Sequence, residues 1–313
     1  MKTEEIFINE FGRLRSGWRF AIFLFLFFLF STLFGGALQI FLARLLNEFV
    51  KTSLFGFIFQ NFVLLTMALA AGWLCGKFLE DLPFRALGGW FTANWLRDLS
   101  FGLMFGAAAI FFSAFVAFAF GGINFQINQT SESSAVLQTL GASLAVFTIG
   151  AAAEEAFFRG YMLQTFSRAN LFWFGLVLTS VFFATVHNSN PGATFLSWTN
   201  TFLAGVWFAA AYLKTRNLWF PTGIHLAWNW LQGAFLGLNV SGIKEITTAP
   251  LLLSTTNNDL TWLHGGEYGI EGGFACTVAL IFSTALIWLA PFLKPSPEMF
   301  ALSSEEIPRQ SIA

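Results

Sequence analysis

The chain has 313 residues, of which 56% are hydrophobic and only 11% charged, against about 25% charged in ordinary soluble domains. With 43 Phe, 12 Trp and a mean hydropathy of +0.66, the apolar mass exceeds what one water-soluble core can hide, so the chain reads as a bilayer protein. A net charge of -1 leaves no basic excess to neutralise phosphates and excludes a nucleic-acid partner. Cys75 and Cys276 sit in separate apolar runs and suggest neither a disulfide framework nor a zinc knuckle.

In chain order, eight windows read as membrane-spanning helices: 18–43, 54–79, 99–120, 136–166, 171–187, 195–213, 218–238 and 273–293. The expected fold is an all-α polytopic membrane helix bundle of about eight transmembrane helices, forming one integral domain over residues 1–313. The first window is too long and too far from the N-terminus to be a cleavable signal peptide. Residues 1–17 mix charges such as Glu4, Glu5 and Glu10 with apolar residues and read as an anchoring tail in preference to a surface helix. The 239–272 connection is rich in Gly, Thr and Asn and predicts a structured external loop, with His264, Glu267 and Glu271 solvated.

Positive charge orients the bundle, because Lys and Arg are retained on the cytoplasmic side. Lys2, Arg13, Arg15, Arg19, Lys77, Arg85, Arg97, Arg168, Lys214, Arg216, Lys294 and Arg309 fall at one end of the windows; Arg44, Lys51 and Lys244 fall at the other. Both termini are therefore expected in the cytoplasm. No internal repeat is visible, so an inverted-repeat transporter is not suggested.

Ionisable groups at membrane depth are costly unless paired or hydrated, so each is a functional-site candidate. They cluster in Glu154-Glu155-Ala156-Phe157-Phe158-Arg159, in Phe183 to His187, and in His225-Leu226-Ala227-Trp228-Asn229. On a helix Glu155 and Arg159 share a face, as do His225 and Asn229, and Gln232 continues that stripe; Glu154 points elsewhere. Glu155 with Arg159 reads as a structural bridge, Gln232 as support or packing, and Glu154, His187, His225 and Asn229 as one polar pocket. Glutamate and histidine can activate a water, and histidine with asparagine can stabilise an oxyanion, as peptide hydrolysis requires. Alternatively Glu154, His187 and His225 form a two-histidine, one-carboxylate set suited to zinc. Depths along the helices disagree unless the fourth helix ends near Met162 or tilts, and an early end is the expectation.

Glu154-Glu155-x-x-x-Arg159, Phe183-x-x-x-His187 and His225-x-x-x-Asn229, in that order on successive apolar helices, resemble the CAAX protease and bacteriocin-processing family. This group of intramembrane endopeptidases includes the Ras-converting CAAX endopeptidase. The resemblance covers about 145–245 as a catalytic core, and Gly12 to Arg19 with Trp230 to Gly242 look like a bacterial subgroup, implying a plasma-membrane setting. It implies that Glu154 is the general base, assisted by His187, that His225 and Asn229 bind the oxyanion or a metal, and that Glu155 with Arg159 holds the site in shape. It leaves zinc and a metal-free, glutamate-activated water both open. The substrate expected is a membrane-associated peptide or protein. A proton- or ion-coupled transporter relaying through Glu154 and His187, or a non-catalytic membrane scaffold or immunity-type protein, are the competing readings.

Overall fold

The computed structural model describes residues 6–46 and 53–306, so Lys2, Glu4, Glu5, Lys51 and Arg309 lie outside the described residues. Eight helices occupy the eight expected windows. They are α1 (Ser16–Phe30, continuing through a π turn at Ser31–Gly35 into Gly36–Leu46), α2 (Ser53–Glu80), α3 (Trp95–Ala119), α4 (Ser133–Phe157, a π turn at Phe158–Met162, then Leu163–Arg168), α5 (Phe172–Val186), α6 (Phe195–Thr215), α7 (Trp219–Trp230 with a π turn at Leu231–Phe235) and α8 (Phe274–Leu289). Four segments, Ser16–Leu42, Leu54–Glu80, Trp95–Ala119 and Ser133–Arg168, are long and apolar enough to cross a bilayer by themselves. α5 and α8 are equally apolar but shorter. The chain is a helical membrane protein.

One expectation is corrected. α4 does not stop near Met162: the ladder breaks at Gly160 (φ -69°, ψ -130°) and the helix resumes at Leu163. The break leaves the carbonyl of Arg159 accepting from Gln164 Nε2, which also donates to Leu87 O. The depth mismatch is thus absorbed by a kink. The bundle is helical, as expected, and carries a short strand pair besides: β1 (Ile123–Ile127) pairs antiparallel with β2 (Leu252–Thr256) from the long loop, in the register Ile123 to Thr256. That loop is structured, as expected.

The N-terminal residues from Ile6 onward form a tucked turn. Asn9 Oδ1 accepts from the backbone amides of Phe11 and Arg13, and Arg13 reaches Leu79 O and Asp81. At the same end Glu80 is clasped by Arg168 at 2.9 and 3.0 Å and by Arg19, which also pairs with Glu306. This buried network fastens α1, α2, α4 and the C-terminal segment together, so both described chain ends lie at one end of the bundle.

α3 and α7 make the closest helix crossing. A Cβ built on Gly102 would lie 2.3 Å from Phe220 O, and one on Gly106 would lie 2.3 Å from Ile224 O. Small residues four apart let two backbones meet in a membrane, where packing and not water exclusion drives association. Because Ile224 precedes His225, this crossing also sets where that imidazole sits. Gly106→Val is expected to lower thermal stability by about 1–3 kcal/mol through overpacking, read as a shifted melting temperature in detergent. An unchanged melting temperature would show that the crossing is slack.

Candidate active site

Adjacent positions on a helix diverge by about 100°, and at the end of α4 this sends two glutamates to different places. Glu155 turns into the core, fully buried, where Oε1 accepts from Arg159 Nη1 at 3.2 Å and lies 2.9 Å from His225 Nδ1. Arg159 Nη2 donates to Gly205 O at 3.1 Å, and its guanidinium lies over the rings of Phe183 and Phe208 at 4.7 and 4.9 Å. The expected bridge between Glu155 and Arg159 is present, and it carries His225 as a third member.

Glu154 turns the other way. Its Oε2 lies 3.9 Å from His187 Nε2 and 3.8 Å from His225 Nε2. That oxygen is buried and accepts no hydrogen bond among the described residues. His187 caps the end of α5 with Nδ1 2.7 Å from Phe183 O. A carbonyl only accepts, so Nδ1 carries a proton and Nε2 of His187 faces Glu154. The same logic gives His225 an Nδ1 proton, held by the carboxylate of Glu155. Phe208 stacks flat on His225 at 4.6 Å and 20°, and Phe183 packs on His187 at 4.6 Å, which fixes both rings.

The donor types would suit zinc, but the separations do not. Tetrahedral zinc with bonds of about 2.0–2.1 Å holds its ligands about 3.3–3.4 Å apart, shorter than the 3.8 and 3.9 Å found here. Among the described residues no group of three or more His, Cys, Asp and Glu has metal-binding spacing. One bridging water does fit, since two contacts of about 2.8 Å span such a gap.

The three side chains line a cavity of about 140 Å³, space for several waters at about 10–15 Å³ each. Asn229, one turn on from His225, lines it too, and its carboxamide has no hydrogen bond among the described residues. Gln232 is buried outside the cavity, where Nε2 donates to Asn239 O at 2.6 Å and so holds the turn leading to Val240 and Ser241. Sequence reasoning missed Asn190, Asn200, Ser241 and Glu271, all in the cavity wall. Glu271 is not a solvated loop residue: Oε1 accepts from Trp228 Nε1, and Oε2 accepts from the Ser241 amide and hydroxyl. His264 is buried as well, with Nε2 on Asn257 O and Nδ1 accepting from Gly266 N, and this pins the loop. Glu267 remains exposed. No local motif marks these residues, because the loop folds back onto the bundle.

Three motif pairs on three helices thus meet in one place, as a family with a shared site requires. Residues 135–231 match the family described as type II CAAX prenyl endopeptidase Rce1-like. Over that segment the chain is similar to that family. This Rce1-like core runs from the start of α4 to the end of α7 and contains Glu154, His187, His225 and Asn229. A Bacillus subtilis (strain 168) protein, named only as the uncharacterized protein YyaK, is 26% identical over 243 residues, covering 74% of this chain and 75% of its own. The similarity therefore extends well beyond the Rce1-like core.

Proposed function

We propose that this chain is an intramembrane endopeptidase that hydrolyses a peptide bond of a membrane-associated polypeptide, using a water activated by Glu154. The observation that carries the reading is the unpaired, buried Oε2 of Glu154, set one water away from two imidazoles whose tautomers are fixed from behind. Such a water donates one hydrogen to Glu154 and the other to His187 Nε2, leaving a lone pair for the scissile carbonyl carbon. As the water oxygen forms its new bond to carbon, its proton passes to Glu154. The carbonyl oxygen becomes an oxyanion, for which Asn229 Nδ2 is a free donor. A protonated His225 would supply a second, and one imidazolium brings Glu154, Glu155 and Arg159 to net neutrality. When the carbon–nitrogen bond breaks, Glu154 returns its proton to the leaving amine.

The packing supports hydrolysis over ion transport. Every residue from Glu155 to Arg168 is buried, so on α4 the cavity ends in a packed floor at Glu154. Comparing the termini of membrane proteins in cells carrying the parent chain or Glu154→Ala would identify substrate and cleavage position together. New termini that vanish with Glu154→Ala are expected, and identical termini in both would sink the reading. The water is proposed to work without a metal, so activity should survive 1,10-phenanthroline and EDTA. Loss on chelation, restored by zinc, would replace this mechanism with a metal-bound water on Glu154, His187 and His225.

A further inference from the structure

On α4 the cavity lies to one side of Glu154. Along α4 it is lined from Val146 to Glu154, and no residue beyond Glu154 contributes. On α6 it runs from Asn200, near the helix start, down to Phe208 against His225, and on α8 it takes Cys276 and Leu280, within two turns of the helix start. Phe57 and Asn61, near the start of α2, also line it, as do Asn190 and the segment around Ser241, both in connections at the end away from the termini. Toward the end bearing the termini the way is shut: Arg159, Tyr161, Met162, Tyr212 and Phe220 are each essentially inaccessible. Below them the Glu80 network with Arg19 and Arg168 closes the bundle.

Charge tells which end is which. Of the twelve Lys and Arg that the sequence assigns to the terminal end, Lys2 and Arg309 lie outside the described residues, and the others are placed there. Arg97 donates to Lys294 O, Lys214 to Trp288 O, and Arg216 to Ser167 Oγ and Ser303 O. Only Arg44 and Lys244 are described at the opposite end. An excess of Lys and Arg in short connections marks the cytoplasmic side.

We infer that the catalytic cavity opens to the extracytoplasmic face, so that the substrates are exported or membrane-inserted polypeptides cut on that side and not cytosolic C-terminal tails. The inference rests on the proposed hydrolase only for the word substrate; the facing of the cavity stands on packing and charge. Water reaches Glu154 from the outer end, through a wall of Asn190, Asn200, Ser241 and Glu271. Their carboxamides, hydroxyl and carboxylate offer hydrogen bonds to an extended peptide that an apolar lipid chain has no use for.

Cysteine accessibility tests this without needing turnover. Lys244→Cys beside the mouth, Asn190→Cys in the cavity wall and Lys77→Cys at the terminal end are compared with the parent, whose two cysteines are buried. In intact cells a membrane-impermeant maleimide is expected to label Lys244→Cys, and a small charged methanethiosulfonate to label Asn190→Cys; Lys77→Cys should react only after permeabilisation. Labelling of Lys77→Cys from outside overturns the orientation. Reaction of Asn190→Cys only from the cytoplasm, or from neither side, overturns the opening. If labelling follows expectation while Glu154→Ala leaves all protein termini unchanged, the hydrolase reading fails and the facing of the cavity stands.

Discussion

Replacing Glu154 by Gln is expected to lower the rate of peptide hydrolysis by about 10²–10⁴-fold, the usual contribution of a positioned general base, while leaving the fold intact. The amide keeps the shape of the side chain but cannot take a proton from water. No hydrogen bond is lost with it, because Oε2 accepts none among the described residues. The side chain is about a quarter exposed, to the cavity, so removing its charge does not strand a partner in the core. A melting temperature near that of the parent and a fallen kcat are therefore the expected pair. Asn229→Ala should lower kcat by about 10²–10³-fold if its amide serves the oxyanion, by analogy with removal of one such donor elsewhere, with KM little changed. Activity within a few-fold of the parent in Glu154→Gln would eliminate this glutamate as the base.

The largest loss of stability is expected from Arg159. Removing one member of a buried, hydrogen-bonded charge pair costs about 3–5 kcal/mol, because the other is left buried and uncompensated. Arg159→Met would strand Glu155, leave Gly205 O without its donor, and empty the space between Phe183 and Phe208. Since Glu155 also holds His225 Nδ1, activity should fall along with the melting temperature. The double variant Glu155→Gln/Arg159→Met should be less destabilised than Arg159→Met alone, because the stranded charge is gone. Arg159→Lys is expected to rescue poorly: one ammonium cannot reach both the carboxylate and the carbonyl while covering two rings. Equal melting temperatures for the parent and Arg159→Met would show that the pair is dispensable.

The two variants probe different parts of one design. In the proposed mechanism Glu154 is the reactive one because its Oε2 accepts no hydrogen bond among the described residues, whereas Glu155 is held by Arg159 and His225. Neighbouring residues of identical chemistry are separated only by the 100° between successive helix positions.

The sequence by itself determined the membrane class, the eight helical windows, and the two faces of α4, because apolar length and helical period are local properties. It also carried the three motif pairs. What it left undetermined was every contact between segments distant in the chain. The kink at Gly160, the docking of Glu271 onto Trp228 and Ser241, and the burial of His264 all follow from packing across helices. Tertiary structure alone decided that the cavity runs from Glu154 toward the end opposite the termini. A cavity is the space that packing fails to fill, and no single segment encodes where that space is left.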